Sequence, residues 1–197
     1  MVIINAKKNM PTGHQDFNMT THAMIDIETL GTEPGCVVLS VGAVKFDPFN
    51  SETPHAPMLW KLDIDSQSNK GRIIRDDTIE WWGKQDAHVQ EAAFSIDDRV
   101  TVEDFMKELN KWVNGVEKIW CQGPQFDMVI LENLYEQYEH HHNWAFWQIM
   151  DCRTIFNMLP VDPRKAIQEN LHDALADAHW QAVCVQQTYK HFTVLKR

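Results

Sequence analysis

The sequence predicts an α/β domain: a mixed five-stranded sheet, built from a three-strand antiparallel meander plus two parallel strands, flanked by helices. Three observations carry this. Three strand-like segments follow one another near the start across short polar or Gly/Pro-rich links, which suits antiparallel neighbours. After them, helical and strand-like patterns alternate, the order that builds crossover units and parallel pairing. With 197 residues, 44% of them apolar, the chain is long enough for one sizeable core, and no repeat or linker divides it.

Residues 1–20 are polar and lack a period, so they are expected to form a loosely held extension ahead of a single domain at 21–197. The first strand is about 24–28, in "MIDIETLG". The second, about 37–46, is rich in β-branched residues and follows the Gly/Pro turn "LGTEPG". "MLWKLDI" alternates and gives the third. "SQSNKGRIIRDD" reads as a polar loop carrying Lys70, Arg72 and Arg75, and "DTIEWWGKQ" as a short helix. A longer helix starts at Thr101, an N-cap with Asp104 three residues on; Val102, Phe105, Met106, Leu109, Trp112 and Val113 keep helical spacing until Gly115 stops it. "EKIWC" is the fourth strand, and "GPQFDMVILENLYEQY" a helix with Pro124 near its first turn. "WQIMD" is the fifth strand, followed by a helix over about 152–159, a loop over 160–170, and a last helix over about 172–189.

A net charge of −10 argues against gripping nucleic acid mainly by counterion release, while leaving room for an enzyme whose acidic site binds metal. Cys36, Cys121, Cys152 and Cys184 form no C-x-x-C pair and sit in or beside apolar segments, the pattern of free thiols in a reducing compartment. No apolar run reaches the 18 residues of a membrane span, and the first residues are too short an apolar stretch for a secretory signal. A cytoplasmic protein with no membrane partner is expected.

The chemistry starts at "MIDIE". In an extended chain residues i and i+2 share a face, so Asp26 and Glu28 lie together and Ile25 and Ile27 lie opposite. At two strand rises, about 6–7 Å, two like charges repel by about 2.5 kcal/mol at an effective dielectric near 20. A bound cation is the simplest offset. Asp127 stands in the first turn of a helix that follows a strand, where open α/β sheets place their sites; taken alone, it reads first as a complement to the helix dipole. Asp177 lies among small and apolar residues in "NLHDALADAHW", where an unpaired carboxylate would be costly. Asp173 reads as the cap of that helix and Asp151 as the cap of the preceding one. His172 is five residues before Asp177, about 140° around a helix, so it reaches Asp177 only from the loop ahead of the helix. Four carboxylates on three elements match two divalent ions, and hard oxygen ligands suit Mg²⁺ or Mn²⁺. A histidine of near-neutral pKa can take a proton from an attacking water.

In their order, "DIE", "FD" and His-x-x-x-x-Asp resemble the motifs of the DEDDh 3′→5′ exonuclease superfamily on its RNase H-like fold. The subtype with Tyr four residues before the last Asp does not fit, since that position is Asp173. "SQSNKGR", "TIEWW" and "CRTIF" look like the exonuclease A group of T-even-type phages and the related exoribonuclease-like group; the likeness covers most of 24–190. It implies Asp26, Glu28 and Asp177 on a first metal, Asp26 with Asp127 on a second, and His172 as general base. It also implies Thr29 and Leu30 against the terminal sugar and base. The reaction implied is release of nucleoside 5′-monophosphates from single-stranded DNA or RNA 3′ ends, DNA slightly favoured. The rivals are an exoribonuclease or oligoribonuclease, and a binding or replisome-interaction module without turnover. The oligomeric state is left open.

Further substrate contacts are expected from one of the adjacent Trp81 and Trp82, stacking on a base while the other packs inward, from Phe126 beside Asp127, and from Arg72 on a phosphate. Each residue has a plainer role as core or solvated loop. The run His140–His142 reads as surface, since consecutive side chains diverge and no Cys lies near, and His179 as structural.

Overall fold

Among the described residues six strands make one mixed sheet: β1 (His22–Thr29), β2 (Val38–Phe46), β3 (His55–Leu62), β4 (Arg99–Val100), β5 (Lys118–Cys121) and β6 (Ile149–Asp151), in the order β4-β3-β2-β1-β5-β6. The structure is a computed structural model that describes residues 21–166 and 172–196. The expected N-terminal extension, 1–20, lies outside the described residues. β1, β2 and β3 pair antiparallel; β5 runs parallel to β1 and β6 parallel to β5. The sixth strand, absent from the sequence reading, is β4, which pairs parallel with the end of β3. Two residues are too few to show a period. Arg99 holds this edge by donating to the carbonyls of Leu39, Leu62 and Ala93.

Seven α-helices are described: α1 (Ile64–Asn69), α2 (Asp76–Trp82), α3 (Ala87–Phe94), α4 (Val102–Trp112), α5 (Asp127–Gln137), α6 (Cys152–Phe156) and α7 (Ala174–His191). α1 occupies part of the segment expected as loop, and Ile64 begins it rather than ending β3. Asp63 caps it by accepting from Ser66 N. The loop over 160–170 contains a 3-10 turn at Pro163–Ala166.

The alternation along β1 divides the core. Ala23, Ile25 and Ile27 pack with α4 and α5 through Phe105, Leu109, Leu131 and Leu134, while Met24 packs on the other face with Ala178, Ala182 and Val185 of α7. Asp26 and Glu28 continue the Met24 face by the two-residue period, so they point toward α7. Gly42 of β2 sits opposite Asp26 in the register. A Cβ there would lie 2.1 Å from the carbonyl carbon of Ala174. The absent side chain lets the start of α7 descend onto the sheet beside Asp26. No helix among the described residues is long and apolar enough to cross a membrane.

Candidate active site

β1 pairs with β5 only from His22 to Met24, and its carboxyl end runs on past that strand. α5 begins next to the opening. Asp127, its first residue, is only 4% exposed, and the nearby backbone amides of Asp127 itself and of Ile27 favour its ionised form. On the opposite side of β1, α7 starts behind the cap Asp173, which accepts from Ala176 N at 2.8 Å. The first turn of α7 brings Asp177 over the acidic face of β1. Carboxylate oxygens of Asp26, Glu28 and Asp177 all lie within 4.8 Å of one another.

These carboxylates and Asp127 line one cavity of about 370 Å³, together with His172, Gln181, Arg153 and Arg164. Asp127 stands in the cavity outside the three-residue cluster. His172 precedes the helix, with a left-handed backbone (φ 66°), and its N–H donates to Asp177 Oδ2 at 3.1 Å. That turn aims the imidazole over the site, where its ring meets Trp81 edge-to-face at 4.7 Å.

The electrostatics follow from crowding. Burial, then the charges of Asp127, Glu28 and Asp177, push the Asp26 carboxyl well above the ordinary carboxylate range. Burial, then the charges of Asp177, Asp173 and Asp127, push Glu28 to about 8. Burial raises Asp127 to about 7 and Asp177 to about 6. Burial acts in the opposite direction on His172 and lowers its pKa, favouring the neutral ring at neutral pH. A set of four carboxyls this reluctant to ionise together is a fitting host for hard divalent cations, which the all-oxygen donor set suits.

A second cavity of about 480 Å³ adjoins the first and shares Ile27, Glu28 and Phe126 with it; Thr29, Thr78, Trp81 and Trp82 are among its other walls. Trp81 is 40% exposed and Trp82 is 1% exposed, so the pair divides outward and inward. Trp82 donates its indole N–H to Thr29 O, which makes it a support for this wall rather than a free stacking surface. Thr29 lines the cavity but spends its hydroxyl on Gly31 O.

Two expected substrate contacts are corrected. Leu30 is buried among Val37, Leu39 and Trp82; its N–H donates to Val37 O and its carbonyl accepts from Arg75 N, so it offers a substrate nothing. Arg72 is buried away from both cavities. Its guanidinium donates to the carbonyls of Cys36 and Pro34 and to the side chains of Asn133 and Gln137, tying α5 to the β1–β2 link. The cationic side chains beside the acids are instead Arg153, whose Nε donates to Gln122 O, and Arg164, paired with Asp162. Sequence reasoning also missed Gln181, although it lies one helical turn past Asp177 on the same face. Its Nε2 donates to Asp26 Oδ1 at 2.8 Å, and its Oε1 is buried without a partner among the described residues. An unmet buried acceptor costs about 1–3 kcal/mol. The histidines His140 and His141 stand away from the acids, and His142 stacks on Trp144 with centroids 4.4 Å apart.

Comparison with known proteins agrees with this architecture. A family model described as the 3′–5′ exoribonuclease Rv2179c-like domain matches residues 21–189. The exodeoxyribonuclease of Enterobacteria phage T4 is 29% identical over 155 residues, which span 66% of this chain and 68% of that protein. Among solved structures, E. coli ExoI in a zinc-bound complex with single-stranded DNA superposes with a TM-score of 0.66 at 15% identity. That superposition covers 87% of this chain but only 41% of ExoI. The nuclease domain of 3′hExo, a DEDDh family member bound to rAMP, gives a TM-score of 0.60 at 14% identity over 92% of this chain and 97% of that one. At these identities the structures share a fold with this chain.

Proposed function

The chain belongs to the family of Rv2179c-like 3′–5′ exoribonuclease domains and is a 3′–5′ exonuclease of the DEDDh type, and from that premise we propose that residues 21–197 act as one domain that hydrolyses single-stranded 3′ ends with the help of two divalent cations. The observation that carries the reading is the convergence of Asp26, Glu28 and Asp177 within 4.8 Å, in a cavity that Asp127 and His172 also line.

The donor set fits Mg²⁺ or Mn²⁺: Asp26, Glu28 and Asp177 would hold one cation, and Asp26 with Asp127 the other. When bound, such a pair stabilises negative charge on the phosphate oxygens and lowers the pKa of water. The protein's own groups do the rest. The neutral ring of His172 takes a proton from the water that attacks the last phosphodiester in line. The new phosphorus–oxygen bond forms as the bond to the 3′-oxygen of the penultimate nucleotide breaks, and that oxygen is protonated from solvent. The product is a nucleoside 5′-monophosphate and a strand shorter by one. Trp81, with Phe126 and Thr29, provides the wall for the terminal nucleotide beside the acids; stacking on an indole contributes about 1–3 kcal/mol per base.

DNA is the first substrate reading, supported by the T4 relative's name of exodeoxyribonuclease. RNA is the second, supported by the family's description as exoribonuclease. Matched 5′-labelled DNA and RNA oligonucleotides, digested side by side with Mn²⁺, separate them. The expected result is a one-nucleotide ladder with release of 5′-monophosphates, faster on DNA. Faster release from RNA would select the second reading, and no release from either strand would refute both.

A further inference from the structure

Gln181 is 6% exposed and carries two facts that packing alone does not require: its amide nitrogen donates to Asp26 Oδ1 at 2.8 Å, and its amide oxygen is buried with no partner among the described residues. As a cation ligand Asp26 must be ionised, and an ionised carboxylate only accepts, so it dictates that the amide nitrogen of Gln181 faces it. The same helix offers a comparison. Gln186, equally buried, has its Nε2 satisfied by the carbonyls of Asp47 and Glu52 and lies remote from the acids, where it anchors α7 to the β2–β3 link. One glutamine is therefore a structural tie. The other is half-satisfied and points its bonded half at a carboxylate that has three carboxylate neighbours.

We propose that Gln181 is a positioning residue for the cation site: its Nε2, by donating to Asp26 Oδ1, fixes that carboxylate in its ligating orientation. The inference rests on the reading of Asp26, Glu28 and Asp177 as cation ligands. Hydrogen-bonded partners of metal ligands set the orientation of those ligands, and their loss typically weakens metal binding by about 10–100-fold.

The test is calorimetric titration of Mn²⁺ into the full chain without substrate, alongside thermal melting. Gln181→Met keeps the length and removes both polar ends; Gln181→Asn keeps the amide and withdraws it by one methylene, out of reach of Asp26. Both are expected to weaken Mn²⁺ binding by about 10–100-fold. Gln186→Met is expected to lower the melting temperature and leave Mn²⁺ affinity within twofold of wild type. Wild-type Mn²⁺ affinity in a folded Gln181 variant, or an equal loss in Gln186→Met, overturns the proposal. If the wild-type chain itself takes up no Mn²⁺, the cation-site reading fails first and the role of Gln181 falls with it.

Discussion

Gly42→Ala tests whether the site depends on how closely α7 approaches the sheet. The added Cβ would stand 2.1 Å from the carbonyl carbon of Ala174, 2.2 Å from its oxygen and 2.3 Å from Leu175 N, all rigid backbone. Ordinary carbon–carbon contact is about 3.5 Å, so the start of α7 must retreat by about 1.4 Å, the difference between that distance and 2.1 Å. Asp177 lies in the first turn of that helix and moves with it, away from Asp26 and Glu28. Overpacking of this kind destabilises by about 1–3 kcal/mol, a fall of several degrees in melting temperature for a domain of this size. The larger effect is on turnover, since a misplacement of about 1 Å at a catalytic group lowers rates by about 10²-fold. The assay is mononucleotide release from a labelled oligonucleotide at saturating Mn²⁺, with melting measured in parallel. Gly83→Ala is the control, because its Cβ would meet only carbonyl oxygens at an ordinary 3.5 Å. Wild-type turnover and melting in Gly42→Ala would refute the reasoning.

Other expectations follow from the same geometry. Asp26→Asn and Asp177→Asn each remove one charge from the cluster and should lower turnover by at least about 10²-fold with an unchanged circular dichroism spectrum; near-wild-type rates in either would remove that carboxylate from the site. His172→Ala should lower the rate by about 10²–10⁴-fold and flatten its rise with pH as the imidazole loses its proton, read from a pH–rate profile. In the metal-free protein Glu28 ionises near pH 8, Asp127 near 7 and Asp177 near 6, while the unfolded chain releases the same protons near pH 4. At these three groups the folded state then binds more protons than the unfolded one, so the stability they contribute is fully present below about pH 4 and is lost toward pH 8. A divalent cation favours the ionised carboxylates, so the rise in melting temperature on adding Mg²⁺ should be larger at pH 8 than at pH 5. Differential scanning fluorimetry at both values checks this, and an equal shift at both would contradict it.

Much of this molecule can be read from local pattern. β1, β2, α4 and α7 announce themselves through β-branched runs, helical spacing and the caps Thr101 and Asp173, both of which accept the hydrogen bonds their positions imply. The elements that pattern missed are held by distant partners. α1 is six mostly polar residues, and its Gln67 bridges the N–H and C=O of Val38, standing in for a strand neighbour 29 residues away. α3 has a weak apolar period and is fixed by Ala93 against Trp82 and Leu30. At the site, the carboxylates were legible because like charges at strand and helix spacing demand an explanation. Arg72 was misread because a basic residue in a polar segment gives no sign that its guanidinium will be consumed by two carbonyls and two amides. Gln181 was missed because a glutamine on a buried face becomes informative only once Asp26 is seen 2.8 Å away.

The most direct measurement of the central claim is anomalous scattering from a crystal of this protein soaked in Mn²⁺. The expected result is a strong peak bounded by carboxylate oxygens of Asp26, Glu28 and Asp177, with a second peak between Asp26 and Asp127 once a nucleotide product is added. A clean map with those side chains turned apart, or manganese bound only elsewhere, would contradict it.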